Sequence, residues 1–389
     1  MELSIRNQGK IVMMKPCALF LSNQIYFDPS KPEGGVKVCT EEYLALIRHL
    51  YEVEVFTVSY HISYWYRLRV KFGFNVYNDY QPARYAERLA EIIRKRNVKV
   101  VFLNLSNTAP FAKLIKSEFG HTVKIVLCSH GNESGDFLHE VTRFKRRVPL
   151  YRSWISASTL GSLLKREASF RQSDLDGVLT VSPVEEALEY WLGAKRVLMI
   201  PRTVEASFLD RKPVAGRVGF IGDLSHAPNF YGVDEVCKAI ASMPSNEGIN
   251  IRLVGAPLNV GEQLAATYPF VTYLGYMSND ELMKEAASWA FFMNPVFYYS
   301  RGVSTKLAKA FSWGLPVITS EIGCRGYVWG KGSPLIADSA AEMAAAIHQH
   351  SVTTDNFEIQ EKQLRELVGS IPDMSENAKK LALFLDHLQ

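Results

Sequence analysis

The sequence predicts an α/β fold of two domains, each built on a mainly parallel β-sheet. A chain of 389 residues is longer than one hydrophobic core usually serves. Short β-rich apolar segments alternate with longer amphipathic patterns along almost its whole length, as in stacked β–α–β units. Two such series are separated by linker-like composition. We therefore predict a first domain at residues 1–205, a linker at 206–216 and a second domain at 217–370. A closing helix at 371–389 could pack on either domain, including back on the first.

Six strands are predicted in the first domain, each with β-branched or aromatic residues between turn signals. They are Cys17–Ser22, Val53–Val58, Val98–Leu103, Val123–Cys128, Gly177–Val181 and Val197–Ile200. The first strand leads to a loop that ends in Gly34 and Gly35. A helix follows this loop, with an apolar face that runs from Val36 to Leu50.

The second domain repeats the pattern with six further strands. They are Val218–Ile221, Ile251–Val254, Val271–Leu274, Ala290–Met293, Val317–Thr319 and Leu335–Ile336. Ser278 and Glu281 have the spacing of a capping box, which predicts the start of a helix. The stretch Ser375–Leu388 is amphipathic and forms the predicted closing helix.

Composition limits the class of protein. Hydrophobic residues make up 47% and charged residues 22%, as in ordinary globular proteins, and no apolar run reaches the roughly 20 residues of a membrane span. Charged residues occupy the N-terminal stretch where a signal peptide would be apolar, so we expect a cytoplasmic protein. Five scattered cysteines without metal-site spacing indicate reduced thiols. They are Cys17, Cys39, Cys128, Cys237 and Cys324.

Positive charge is concentrated in the first half. Residues 1–200 hold 28 Lys and Arg against 20 Asp and Glu, a net +8, whereas the remainder holds 16 against 20, or −4. Such polarity indicates an anionic partner, such as a phospholipid surface or a phosphorylated acceptor. A solvated basic face is the alternative. The clustered cations are Arg143, Lys145, Arg146, Arg147 and Arg152, and aromatic stretches such as Tyr64–Tyr66 accompany them.

Loops that follow strands are the candidate binding loops, because ligands of open α/β sheets bind at the carboxyl ends of strands. The loop of Gly34 and Gly35 allows close approach of a ligand to the backbone and opens a helix whose N-terminus favours anions. Gly222 repeats this arrangement before a helix that begins near Pro228. Two such loops indicate a diphosphate, whereas either loop alone is also explained as a tight turn.

The stretch Asn294–Gly326 carries the strongest signal. Its pattern predicts a strand end, a loop at 295–303, Ser304 as a helix N-cap, and Gly314 as the helix stop. Lys306 falls in the first turn, where a cation opposes the helix dipole. A bound phosphate would explain this lysine, and an idle surface lysine is the alternative.

In the first domain the candidate is His130, which follows the strand Val123–Cys128 and precedes Gly131. A histidine at a strand's carboxyl end is well placed to meet a ligand. Glu133 and Asp136 come next. These acids suit either acceptor binding and proton transfer or simple helix capping.

The order of these motifs resembles the GT4-type glycosyltransferases of the GT-B fold. In that family a loop, a lysine-bearing helix and a G-x-P-V-hydrophobic-T/S strand follow one another, as they do in Asn294–Gly326. The resemblance extends to Ile200–Glu205, Ile221–Val233, Val271–Leu282 and the two-glycine loop. It implies two Rossmann-like domains facing a central cleft, the first for the acceptor and the second for the nucleotide-sugar.

The resemblance also implies residue roles. His130 would position the sugar and stabilise charge, and Glu133 is the second catalytic candidate. Lys306 and the Gly222 loop would meet the diphosphate, while Leu274, Gly275 and Tyr276 would lie near the base. The expected donor-binding residues are Gly34, Gly35, Gly222, Asp223, Gly275, Tyr276, Arg301, Gly302, Val303, Ser304, Lys306 and Lys309.

The activity implied is transfer of a sugar, with retention, from a nucleotide-sugar to a glycan or lipid-linked acceptor. Surface polysaccharide or lipopolysaccharide synthesis is the expected setting, in the cytoplasm or at the inner face of the membrane. The family requires no obligate protein nucleophile, and no metal-binding motif stands out, so we expect no essential metal, no other cofactor and no nucleic-acid partner. The alternatives are another GT-B enzyme, such as a nucleotide-sugar epimerase, and a catalytically silent sugar-binding partner subunit.

One departure concerns two glutamates that many GT4 enzymes carry beside the donor. Arg301 and Lys309 occupy those places here. Two cations would suit a donor or acceptor with an extra anionic group, such as a uronic acid carboxylate. Alternatively, both side chains turn outward or pair with acids such as Glu321.

Overall fold

The chain divides into two compact units, as seen in a computed structural model. The first unit comprises residues 1–200 together with 374–389, and the second comprises 201–373. The structure describes residues 6–7, 10–11, 15–30, 34–72, 80–143, 150–299, 301–354 and 357–388.

The first unit contains a six-stranded parallel sheet of order β4-β3-β5-β6-β7-β8. Its strands are β3 (Cys17–Asn23), β4 (Glu52–Val58), β5 (Val100–Asn104), β6 (Lys124–Cys128), β7 (Gly177–Thr180) and β8 (Val197–Met199), after a two-stranded antiparallel pair of β1 (Arg6–Asn7) and β2 (Lys10–Ile11). Its helices are α1 (Gly35–Leu50), α2 (Tyr64–Lys71), α3 (Ala86–Lys95), α4 (Pro110–Phe119), α5 (Glu133–Arg143), α6 (Leu150–Ser173) and α7 (Pro183–Trp191).

The second unit contains another six-stranded parallel sheet, of order β11-β10-β9-β12-β13-β14. Its strands are β9 (Val214–Ile221), β10 (Asn250–Val254), β11 (Val271–Tyr273), β12 (Trp289–Asn294), β13 (Val317–Thr319) and β14 (Leu335–Ile336). Its helices are α8 (Ala227–Ala241), α9 (Leu258–Thr267), α10 (Asn279–Ala286), α11 (Thr305–Ser312), α12 (Glu321–Cys324), α13 (Ala340–Ser351) and α14 (Phe357–Val368); the last helix of the chain, α15 (Met374–Asp386), belongs to the first unit.

The predicted α/β class with two parallel sheets is confirmed, and each predicted strand is present in the sheet expected for it. The predicted strand ends lie within two residues of the observed ends in all strands but one. The exception is β9, which begins at Val214 inside the predicted linker because that residue pairs with Trp289 of β12. The sequence pattern missed the start of β9 because Val214 is exposed and follows polar and charged residues, whereas the later part of the strand is mostly buried.

Helix ends follow the predicted signals. The capping box of Ser278 and Glu281 is confirmed at the start of α10. Gly314 has φ +73° immediately after α11, as a helix stop requires. Ser304 is the N-cap residue of α11, as predicted, but its side chain makes no capping hydrogen bond and instead donates to Asn294 Oδ1 at 3.1 Å.

The five cysteines are free thiols, and all except the half-buried Cys17 are buried. Among the helices of the described ranges, none combines the length and apolar character needed to cross a membrane. Lys145, Arg146 and Arg147 of the predicted basic cluster lie outside the described residues. The side chains of Arg143 and Arg152 lie outside them as well.

Candidate functional site

In the second unit, three glycines lie together at the carboxyl edge of the sheet. Gly222 donates its N–H to the Val254 carbonyl at 3.0 Å, and Gly255 donates to the Gly275 carbonyl at 2.9 Å. A Cβ on Gly255, whose φ is +141°, would lie 1.9 Å from the Gly222 carbonyl oxygen. The turns that follow β9, β10 and β11 therefore pack backbone against backbone, which only glycine permits.

The turn at Gly222 is closed by its own side chains. Asp223 Oδ1 accepts hydrogen bonds from the Ser225 N–H at 2.8 Å and the Ser225 hydroxyl at 2.6 Å. Asn229, at the start of α8, donates through Nδ2 to the Asp223 carbonyl at 2.7 Å. The Asp223 carboxylate thus holds the turn, and a direct contact with the donor stays a prediction.

Lys306 projects from the first turn of α11 to the Gly222 turn. Its ammonium donates to Asn229 Oδ1 and lies 5.0 Å from the centre of the Phe220 ring. No carboxylate contacts it among the residues that the structure describes. Burial lowers the pKa of Lys306 to about 8. The second unit therefore holds a desolvated cation whose charge the described protein leaves uncompensated, next to a glycine turn.

The N-terminus of α11 adds to this positive environment. No acidic residue occupies its first turn, and no side chain of the described ranges caps it. Ser304 is held away from the helix end by Asn294, whose Nδ2 in turn donates to Thr319 Oγ1 at 2.9 Å. The N–H groups of the first turn and the Lys306 ammonium thus come from the same segment, as in helix-terminal anion sites.

The loop before α11 is fixed by contacts from the segment that follows α12. Arg325 donates to the Gly302 carbonyl, and Tyr327 donates to the Ser304 carbonyl at 2.5 Å. Gly302 has φ +78°, a conformation that favours glycine. Arg301 and Val303 flank it and are half-buried.

The side chains of Lys309 and Tyr276, two further predicted donor residues, make no hydrogen bond or ring contact with the Gly222 turn or Lys306 in the part of the chain that the structure describes. Lys309 donates to Asn279 Oδ1 at 3.2 Å and lies 4.9 Å from the centre of the Trp313 ring. The Tyr276 side chain is 87% exposed, so the expected backbone contacts near Gly275 do not involve its ring. The hypothesis of an extra anion at Arg301 and Lys309 stays a prediction.

In the first unit, His130 is buried at the carboxyl edge of the sheet. Its Nε2 lies 2.8 Å from Asn104 Oδ1. Asn104 donates through Nδ2 to the Ser22 and Thr40 hydroxyls, each at 2.9 Å, so its Oδ1 must accept from His130. Asn104 thereby sets the tautomer of His130 with the proton on Nε2. Leu105, the next residue, has the strained torsions φ +74° and ψ +148°.

Helix α1 supports the same histidine. The Tyr43 ring lies 5.5 Å from the His130 ring, and the Tyr43 hydroxyl donates to the Ser129 carbonyl at 2.9 Å. Thr40, which accepts from Asn104, lies on this helix too. The helix that begins at Gly35 is therefore joined to His130 through two side chains.

A buried ion pair holds the turn on the other side of His130. Arg171 of α6 pairs with Glu189 of α7, and both side chains are fully buried. Arg171 also donates to Asn132 Oδ1 at 2.7 Å, and Glu189 Oε1 accepts from the Ser129 hydroxyl at 2.9 Å. The segment 129–132 is therefore fixed by charge-assisted hydrogen bonds, which are stronger than neutral ones.

The remaining candidates of the first unit lie at helix starts. Gly34 is the N-cap residue of α1, and a Cβ built on it would meet no atom of the described residues within 4 Å. Glu133 and Asp136 both lie in the first turn of α5, where a carboxylate is favourable to the helix dipole. Their placement fits the capping alternative, and a catalytic role for Glu133 stays a prediction.

Several residues of both sites were absent from the sequence prediction. They are Asn104, Tyr43, Arg171, Glu189, Asn229, Gly255, Asn294 and Arg325. A signal existed for the asparagines, because Asn104 and Asn294 each end an apolar strand at the edge where ligands bind. The pairing of Arg171 with Glu189 joins two helices, and the spacing of these residues along the chain gave no indication of it.

Comparison with known proteins bears on this geometry. The family model of the group 1 glycosyl transferases matches residues 215–351, which hold Lys306 and all three stacked glycines. A search of curated proteins gives no match.

Solved structures share the fold at low identity. Sucrose-phosphate synthase from Thermosynechococcus elongatus has 17% identity and a TM-score of 0.66, with 96% of this chain and 99% of that chain covered. HepE from Anabaena, solved with UDP and glucose, has 14% identity and a TM-score of 0.60, with 96% and 100% covered. The lipopolysaccharide outer core galactosyltransferase WaaB in its apo form has 11% identity and a TM-score of 0.61, with 96% and 100% covered. The group 1 glycosyl transferase match in the second unit and the fold shared along the chain confirm the resemblance to glycosyltransferases of the GT-B fold.

Proposed function

We propose that the protein transfers a sugar from a nucleotide-sugar to a glycan or lipid-linked acceptor, with retention of configuration. Support for the donor class comes from Anabaena HepE, a similar fold that was solved with UDP and UDP-glucose. WaaB, another similar fold, is a lipopolysaccharide galactosyltransferase, which supports a setting in surface polysaccharide or lipopolysaccharide synthesis.

The observation that carries the proposal is the environment of Lys306. A half-buried ammonium that has lost part of its hydration costs free energy unless an anion compensates it, and its acceptor here is the neutral amide of Asn229. A diphosphate beside the Gly222 turn supplies the missing charge, and the uncapped N-terminus of α11 supplies further N–H donors.

These groups act on the leaving group of the reaction. As the bond from the anomeric carbon to the diphosphate breaks, negative charge grows on the phosphate oxygens, and Lys306 and the α11 N–H groups stabilise it. Because this charge is met by protein groups, we propose that transfer needs no metal ion. The reaction leaves a nucleoside diphosphate and a glycosylated acceptor.

His130 is proposed to position the transferred sugar. Its tautomer and orientation are fixed by Asn104 before any substrate binds. Such preorganisation is what stabilises charge without further rearrangement at the moment of reaction. We propose that the first unit binds the acceptor and that an anionic membrane surface is a further partner.

Titration with UDP tests the role of Lys306. We expect Lys306→Ala to weaken UDP binding by about 1.5 to 3 kcal/mol, the range of a charged hydrogen bond. Lys284→Ala is the matched control, because Lys284 is exposed on α10 of the same unit. Equal affinities for the wild type and Lys306→Ala would remove this lysine from the donor site.

Product analysis separates the transferase from the two alternatives. A transferase consumes donor in an acceptor-dependent reaction, an epimerase converts the donor without acceptor, and a silent partner subunit binds donor without turnover. Assays with and without EDTA on the same samples test the proposal that no metal is needed.

A further inference from the structure

Helix α2 of the first unit presents large aromatic side chains to solvent. Tyr64 is 72% exposed, Trp65 is 73% exposed, and Phe72, directly after the helix, is 60% exposed. The Phe72 N–H donates to the Leu68 carbonyl at 3.0 Å, so Phe72 continues the last turn. Apolar side chains of this size rarely stay exposed together without a binding partner.

The charges of this helix are all positive. Arg67, Arg69 and Lys71 are exposed on it, and the sequence contains no Asp or Glu between Glu54 and Asp79. The surface therefore combines exposed apolar side chains with cations. A partner that matches it must offer both negative charge and apolar groups.

The position of the aromatic residues fits a flat partner. Trp65 and Phe72 are seven residues apart and so lie on the same side of the helix. The ring of Tyr64 lies beside that of Trp65, with centroids 6.1 Å apart. Tyr66 and Leu68, on the same helix, are half-buried. Tyrosine and tryptophan rings favour the boundary between lipid headgroups and acyl chains, because each has an apolar body and a polar edge.

We infer that α2 docks the protein on a bilayer rich in anionic phospholipid. The aromatic rings enter the headgroup boundary, and Arg67, Arg69 and Lys71 meet the phosphates of the lipids. This docking rests on the membrane partner named in the proposed function and assigns it to one helix; α2 contributes none of the residues placed at the donor site or around His130.

Flotation of the full-length protein with vesicles tests the inference. We expect binding to phosphatidylcholine vesicles that contain 30% phosphatidylglycerol, no binding to pure phosphatidylcholine, and release by salt. Arg67→Gln/Lys71→Gln should weaken partitioning by about 30-fold, roughly fivefold for each charge. Lys95→Gln/Lys99→Gln removes two exposed cations near the opposite, amino edge of the sheet and should change little.

The aromatic contribution is tested through fluorescence. Vesicles should shift the tryptophan emission of the wild type to the blue, and Trp65→Phe should abolish this shift. Trp191→Phe is the control, because Trp191 is 68% exposed on α7, a helix with three glutamates and no cation.

Three results would overturn the inference: equal binding to neutral vesicles, equal loss in both charge pairs, or a blue shift that persists in Trp65→Phe. Self-association that disappears in Trp65→Phe, without vesicle binding, would assign the surface to a second copy of the chain. UDP titration of the same variants should be unchanged, which distinguishes failure of docking from failure of the proposed transfer.

Discussion

Lys306 illustrates how a single residue can be unfavourable for folding and favourable for binding. Its ammonium is surrounded by an amide oxygen and an aromatic ring, and no carboxylate of the described chain offsets its charge. A group that costs stability in the free protein is retained when a ligand needs it. This conflict was predictable from the sequence in part, because a lysine in a first helical turn already opposes the dipole.

We expect Lys306→Met to raise the melting temperature of the ligand-free protein while it removes UDP binding. The effect should depend on pH. Burial lowers the pKa of Lys306 to about 8, below the value of about 10.4 for an unfolded chain. Between these values the unfolded state binds more protons, so the stability of the wild type should rise with pH through this window.

Thermal unfolding at several pH values from 7 to 10 measures this effect. The difference between the wild type and Lys306→Met should be largest below pH 8 and shrink above it. Lys284→Met serves as the exposed control. A constant difference across the range would show that the ammonium is not desolvated in the free protein.

A second residue-scale prediction concerns His130. We expect His130→Ala to lower kcat by about 10²-fold with little change in UDP affinity, because its contacts matter mainly in the transition state. His121→Ala, an exposed histidine of the same unit, should leave both unchanged. A parallel loss of turnover and UDP affinity would contradict the proposed role.

Sequence reasoning identified the charged and titratable members of both sites more readily than their supports. His130 and Lys306 stand out by residue type and by position after a strand or in a first turn. Asn229 carries no such mark, because an asparagine near a loop is usually a turn residue, and Asn104 is marked only by its place at the end of an apolar strand. Their roles depend on which side chains the fold brings within 3 Å, and a linear pattern does not contain that information.

At the scale of elements, Gly255 and Gly34 differ in whether the protein itself requires a glycine. Gly255 lies against another backbone turn and has φ +141°. Gly34 has an ordinary backbone conformation and open space around its Cβ position. Both glycines lie in loops that follow strands, but the described protein constrains only the first.

We therefore expect Gly255→Ala to destabilise the protein and weaken UDP binding, since the new Cβ would displace the Gly222 turn. Gly34→Ala should leave the melting temperature unchanged. If a substrate approaches the start of α1, Gly34→Ala should nevertheless lower turnover. Melting temperature, UDP affinity and turnover measured on both variants decide this, and an unaffected UDP affinity in Gly255→Ala would contradict the first expectation.

The strands were predictable because buried parallel strands form short continuous apolar runs. The structure departs from the local pattern where a partner from another segment competes. Val214 pairs with Trp289 although its surroundings read as linker, and Ser304 bonds to Asn294 although its position is that of a cap. In both cases the competing partner lies on β12. Trp289 is far from Val214 along the chain, and Asn294 is separated from Ser304 by a loop.

At the scale of the whole molecule, the chain returns at its end to the unit where it began. Helix α15 packs on α1, and a Cβ on Gly177 would lie 2.7 Å from the Phe384 ring. The sequence predicted an amphipathic helix here but left its partner open, because an apolar face does not identify the surface that covers it.

Two leucine substitutions in α15 test whether this helix packs in the first unit. Leu381 of α15 is fully buried, whereas Leu383, two residues later, is 63% exposed. We expect Leu381→Ala to lower the free energy of unfolding by about 2 to 5 kcal/mol through loss of packing and formation of a cavity. Leu383→Ala removes the same atoms from solvent-exposed surface and should cost little. Because α15 belongs to the first unit and Lys306 to the second, UDP affinity below the melting temperature should be equal in both variants. Calorimetric unfolding and UDP titration measure the two quantities. Equal destabilisation by the two substitutions, or weaker UDP binding in Leu381→Ala alone, would contradict the assignment of α15 to the first unit.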